Sequence, residues 1–171
     1  MCVTSGRARL SRTILYGAEV KLNGRVVHVL GYKNRPENLS PGPNAMLLPF
    51  PAEPGSMGQE NVLDTRGCRK ILQDMAEAVT PQARGMSLDG RIRGFTTREV
   101  QVFEHDIYTI VLAEDASAIP GALHRVSEDK RPPLNNDLYQ AYAIWYPGWT
   151  VALCCFNNRQ AENAAPMLWW Y

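Results

Sequence analysis

The chain has 171 residues, 45% of them hydrophobic and 20% charged, which suits a single domain with a substantial core. Its 18 basic and 17 acidic residues leave a net charge of +1, so no strong field draws it to nucleic acid or to an anionic membrane. No apolar run approaches the ~18 residues of a membrane span, and Arg7, Arg9 and Arg12 interrupt the opening segment where a secretory h-region would lie.

The order of predicted elements starts with β structure. Cys2 to Arg9 is expected to form a first strand, and TILYGAEVKL (Thr13–Leu22) and RVVHVLGY (Arg25–Tyr32) flank Asn23-Gly24. An Asn-Gly pair between two β-rich runs predicts a tight hairpin, because a type I′ turn needs positive φ at both central residues. RPENLSPGPN, with Pro36, Pro41 and Pro43, reads as a loop, and AMLLPF (Ala45–Phe50) as a short buried strand that Pro49 confines to an edge. PAEPGSMGQEN is a second proline-stiffened loop.

A helix is expected from an N-cap at Asp64-Thr65 to Val79, with Cys68, Ile71, Leu72, Met75, Ala76 and Val79 on its core face. Glu99–Glu104 alternates like a half-exposed strand and Ile107–Ala113 reads as a buried one. Two helical segments follow, Ala118–Val126 and Leu138–Trp145, with Tyr139, Tyr142 and Trp145 as a core stripe. Pro147-Gly148 stops the second of these. WTVALCCF (Trp149–Phe156) is the last strong strand, and PMLWWY (Pro166–Tyr171) a short closing one. Runs of strands interleaved irregularly with helices predict an α+β fold over residues 1–171, an antiparallel or mixed sheet with helices packed on one or both faces.

Most chemical motifs are missing. No G-x-x-x-x-G-K-[ST] and no strand-linked G-x-G-x-x-G offers a phosphate cradle, and there is no G-x-S-x-G elbow. His28, His105 and His124 are far apart and no cysteine pair has zinc spacing, so neither cofactor nor metal is expected. Cys2, Cys68, Cys154 and Cys155 show no disulfide framework; adjacent Cys154 and Cys155 on a strand point to opposite faces. Reduced thiols and a cytoplasmic setting are the corresponding expectation.

Position 2 carries the chemistry that remains. Removal of Met1 would expose an α-amine on the residue that bears the thiol. The amine titrates near ~7.7–8.0 and a free thiol near ~8.5, so proton transfer between them is nearly balanced at neutral pH. MCVTSGRARLSRTILYGAEVKLNGRVV resembles the start of the N-terminal-nucleophile hydrolases, in particular their cysteine branch, which cleaves carbon–nitrogen amide bonds. The resemblance implies an αββα sandwich, Cys2 as nucleophile on a small-molecule amide, Asn44 and Asn157 as side-chain donors of an oxyanion hole, and Arg12 as an orienter of the thiolate or of a substrate carboxylate. His28 is a fallback base for the same thiol. The opposing expectation is a non-catalytic interaction or assembly protein. Its contact surfaces would be the proline-rich loops and the apolar end Trp169-Trp170-Tyr171, through which a protein partner or a second copy would bind.

Overall fold

Inward- and outward-facing residues alternate along every long strand, and that alternation builds two antiparallel sheets back to back. The structure is a computed structural model and describes residues 3–22, 24–79, 100–157 and 164–171. Its strands are β1 (Val3–Thr4), β2 (Ala8–Leu22), β3 (Arg25–Asn38), β4 (Asn44–Phe50), β5 (Val62–Leu63), β6 (Gln101–His105), β7 (Tyr108–Ala113), β8 (Thr150–Phe156) and β9 (Met167–Trp170). The helices are α1 (Ile71–Val79), α2 (Ile119–Ala122) and α3 (Asn136–Trp145). The first sheet has the order β1-β4-β8-β7-β6 and the second β2-β3-β9-β5. The fold is therefore α+β, as expected, and every strand pair among the described residues is antiparallel.

The first sheet is buried on both faces. Met46, Leu48, Phe50, Ile110, Leu112, Ala152, Cys154 and Phe156 meet Tyr32, Met167 and Trp169 of the second sheet. On the opposite face Ala45, Leu47, Val111, Val151, Leu153 and Cys155 pack against Ile119, Leu123, Tyr139 and Tyr142 of the helical layer. Cys154 and Cys155 thus serve different cores, as strand geometry requires. Beyond the second sheet lies α1, which rests on β2 and β3 with Leu72 against Gly31 and Leu168. Helices, sheet, sheet and helix follow one another, so the layers are αββα in order.

The β2–β3 hairpin forms as its sequence predicts: Leu22 faces Arg25 across a two-residue connection, and Gly24 has φ of 77°. Asn23 lies outside the described residues, as do Met1, Cys2 and Glu99. Both strands run further than expected. β2 begins at Ala8, and β3 continues through Pro36 to Asn38. β9 pairs only with Val29–Tyr32, so Pro36 sits where β3 has a partner on one side and its missing N–H costs no ladder bond. Pro49 repeats the device in β4, because β1 reaches only Met46 and Leu47.

Several local expectations are corrected. Asp64 to Lys70 form turns rather than the first turns of a helix, since Asp64 Oδ1 accepts from Arg66 N (3.0 Å) and the Thr65 hydroxyl donates to Pro166 O. Cys68 is consequently exposed and not part of the core. The Ala118–Val126 segment is broken into α2 and two flanking 3₁₀ turns around Pro120 and Gly121. In α3, Tyr139 and Tyr142 are buried as expected, but Trp145 is 65% exposed. The closing aromatic segment is structural: Trp169 has 0% exposure, and Tyr171 exchanges two backbone hydrogen bonds with His28.

Candidate functional site

The two sheets do not match in length, and the mismatch opens one side of the sandwich. β4 lies over β3, β8 over β9 and β6 near the 57–61 turn, through Asn44–Asn38, Cys154–Met167 and Gln101–Gln59 contacts. The edge carrying β1 therefore lies on the β2 side. β1 has two residues and β2 has 15, so among the described residues most of β2 has no strand of the first sheet above it. Leu15 stands opposite the core residue Tyr32 and shares its face, yet it is 69% exposed. Gly17, Glu19 and Lys21 continue that face along β2, opposite Leu30, His28 and Val26. A Cβ on Gly17 would meet nothing within 4 Å among the described residues. This is an open shelf floored by the hairpin.

At the closed end of the shelf, polar side chains converge. Asn44 begins β4 with no exposure; its Oδ1 accepts from Ser5 Oγ (2.9 Å) and Gly6 N (2.9 Å). Its Nδ2 donates to Asn38 Oδ1 (3.0 Å) and Arg7 O (3.4 Å). Both amide hydrogens are thus engaged, and Asn44 brackets the chain just after β1 to the end of β3. Met46, two residues on, faces Thr4 of β1. Its sulfur takes a hydrogen bond from Asn34 Nδ2 (3.3 Å), which also donates to Tyr32 Oη (2.8 Å). Asn34 Oδ1 is buried without a partner among the described residues.

Arg12 belongs to this neighbourhood. Ser11 faces Arg35 and Ile14 faces Lys33, so Arg12 and Thr13 together oppose Asn34 in a β-bulge where Arg12 has φ of 52°. Bulges re-aim side chains and occur often beside active sites. Asn157 is elsewhere. It follows Phe156, leaves the helical face of the first sheet and donates to Asp129 Oδ2 (3.2 Å). Hydrogen bonds from Ser127 and Asn157, outweighing desolvation, hold Asp129 below the usual carboxylate range. The structure brings Arg12 and Asn44 to one end of the shelf and does not bring Asn157 there. His28 lies along the shelf, its ring 5.7 Å from that of Tyr171.

The described thiols divide clearly. Cys154 is sealed between the sheets, 3.8 Å from the Met167 sulfur. Burial pushes the Cys155 thiol up to about 12, which leaves it protonated and inert. Cys68 is exposed on a turn. Cys2, the nucleophile implied by the resemblance, is peptide-bonded to Val3 but lies outside the described residues. Among the described residues no three His, Cys, Asp or Glu side chains gather as a metal site, and no helix is long and apolar enough to cross a membrane.

Asn34 was not legible as a site residue. The expected strand ends at Tyr32 and the expected loop begins at Arg35, so Asn34 falls in neither, although an asparagine two residues beyond the inward-facing Tyr32 is a signal. A second polar cluster lies at the far edge, where Asp106 Oδ2 accepts from Ala165 N (2.7 Å) and Arg69 approaches Asp106 at 3.8 Å. Beside it, burial holds His105 below its ordinary pKa, against the opposing pull of Asp106 and Asp64. Compared with family models, with curated proteins and with solved structures, the chain matches none.

Proposed function

We propose that the protein is a small cysteine-dependent hydrolase of carbon–nitrogen amide bonds with Cys2 as nucleophile. The observation that carries the reading is the αββα layer order combined with a shelf left open beside β1. A substrate lying on Leu15 and Gly17 would be next to the strand that Cys2 precedes. Asn44 supports it by fixing Ser5 and Gly6, so the chain leading from the nucleophile is held at both its strand and its turn.

With Met1 removed, the Cys2 thiol passes its proton to its own α-amine and the sulfur attacks the amide carbonyl. Collapse of the tetrahedral intermediate breaks the carbon–nitrogen bond; the leaving amine takes the proton back from the α-ammonium, and a thioester remains. Water, deprotonated by the same amine, then cleaves the thioester, releasing the acid and restoring the thiol. Arg12, in the bulge, is assigned to orienting the thiolate or a substrate carboxylate.

Intact-mass analysis with iodoacetamide labelling tests the proposal. Loss of Met1 and alkylation of Cys2 at neutral pH well ahead of Cys68 is the expected result. Retention of Met1 with four equally slow thiols ends the hydrolase reading.

A second reading, an interaction protein, draws on another surface. Ile144 (76% exposed) and Trp145 present apolar area on the helical layer, whereas Trp169 has none to offer. A drop in sedimentation coefficient for Ile144→Asp, with Cys2 unreactive, would favour it.

A further inference from the structure

We infer that the outer edge of β2 is a self-association surface. Its occupant is β2 of a second copy of this chain, paired antiparallel about a two-fold axis through Val20. β2 ends its sheet, and from Ile14 to Leu22 it runs in unbroken register with β3 alone. His28, opposite Glu19, exchanges two backbone hydrogen bonds with Tyr171, on the side of β3 away from β2. Antiparallel pairs alternate, so the backbone N–H and C=O of Glu19 point away from β3, and those of Leu15, Gly17 and Lys21 do the same. Among the described residues no strand takes these groups.

A row of unpaired backbone groups is a template for another strand, and folded proteins close such edges with proline, bulges or charge. β2 has no proline, and its Arg12–Thr13 bulge lies before the regular run. Charge is therefore what guards Ile14–Leu22, and its pattern names the occupant. Glu19 and Lys21 share the shelf face and are exposed, and among the described residues neither is ion-paired. Opposite charges two residues apart on an edge strand are complementary to the same strand reversed.

The register follows from those two residues. An axis through Val20 sets Glu19 of each copy opposite Lys21 of the other. An axis through Glu19 would set that carboxylate against itself, and one through Ala18 would set Glu19 against Gly17 and Lys21 against Leu15. Opposite charges directly across a strand pair stabilise it and like charges weaken it, so the axis at Val20 is favoured. A foreign strand without the same alternation meets an unmatched charge there. The contact is isologous and closes after two copies. It joins the two four-stranded sheets edge to edge and lays both shelves on one side, as a single floor between the two β1 edges. The pairing stands whether or not Cys2 is catalytic.

Sedimentation equilibrium of the full chain, at concentrations up to about 1 mM, tests the surface. Wild type should form a dimer. Glu19→Lys and Lys21→Glu should each weaken self-association by about ten-fold or more, because each sets like charges opposite one another twice. An equimolar mixture of the two variants should recover a dimer, since every reversed charge then faces its opposite on the other chain. A wild type that stays monomeric, a dimer indifferent to both reversals, or a mixture no tighter than its components overturns the inference. Oxidative cross-linking checks the register without altering a charge. Val20 meets its own copy as a non-hydrogen-bonded pair, with Cα atoms ~4.5 Å apart, within disulfide reach. In a chain carrying Cys2→Ser and Cys68→Ser, Val20→Cys should link two copies and Ala18→Cys should not. The reverse result, or no link from Val20→Cys, overturns the assignment even if the charge variants fail to fold.

Discussion

Two single residues show how a side chain can hold this fold without touching a substrate. Asn44 has an oxygen and a nitrogen fully occupied by the segment after β1 and by the end of β3. Asn44→Ala strands the Gly6 N–H and leaves the Asn38 side-chain oxygen with Ser40 N as its remaining donor, and should cost about 1–3 kcal/mol in urea denaturation. His105 sets a pH dependence. Its folded pKa lies below the unfolded value of ~6.5, so between those two values the unfolded chain binds more protons. Stability is complete above pH ~6.5 and declines as pH falls through the window below it. Urea midpoints measured at pH 7.5 and pH 5.5 should differ in that direction, and His105→Gln should flatten the difference. Only the resemblance points to Arg12 and Asn44. Their shared location was not legible in the sequence, since it depends on a bulge and on the stacking of two sheets.

Elements were legible where the signal was local. The Asn-Gly hairpin, the buried runs of β7 and β8, and the helical run that ends at Trp145 all follow from residues within a few positions of one another. The failures have a common physical cause. Pro36 reads as a strand breaker, yet it occupies a stretch whose second neighbour strand has already ended, the same edge condition that the sequence assigns to Pro49. Asp64 and Thr65 read as a helix cap, but their side chains are drawn to Arg66 and Pro166. Packing of α1 gives the sharpest test at this scale. A Cβ on Gly31 would sit 2.5 Å from Leu72 Cδ2. Gly31→Ala should therefore destabilise by about 1–3 kcal/mol. Leu72→Ala made in the same chain should recover part of that loss, read as a non-additive double-mutant cycle.

The whole molecule depends on pairings that span most of the chain. β9, from the last residues, inserts between β3 and β5, and β4 finds β8 across more than half the sequence. No local pattern specifies such partners, which is why α+β was readable and the strand order was not. The placement of β9 makes a prediction about truncation. Removing Trp169–Tyr171 takes out the ring that packs on Phe50 at 5.1 Å and leaves β3 and β5 without their shared partner. The shortened chain should lose cooperative thermal unfolding rather than change its association state, with differential scanning calorimetry and sedimentation as the paired measurements.

Cys154 and Cys155 are neighbours along one strand whose sulfurs look into separate interiors. A fluorinated or isotopically labelled side chain at the first position would report on the seam between the sheets, and one at the second on the docking of the helices. Shifting the label by a single residue thus moves the observer from one compartment to the other, so the order in which the two interiors loosen during unfolding can be timed within one protein.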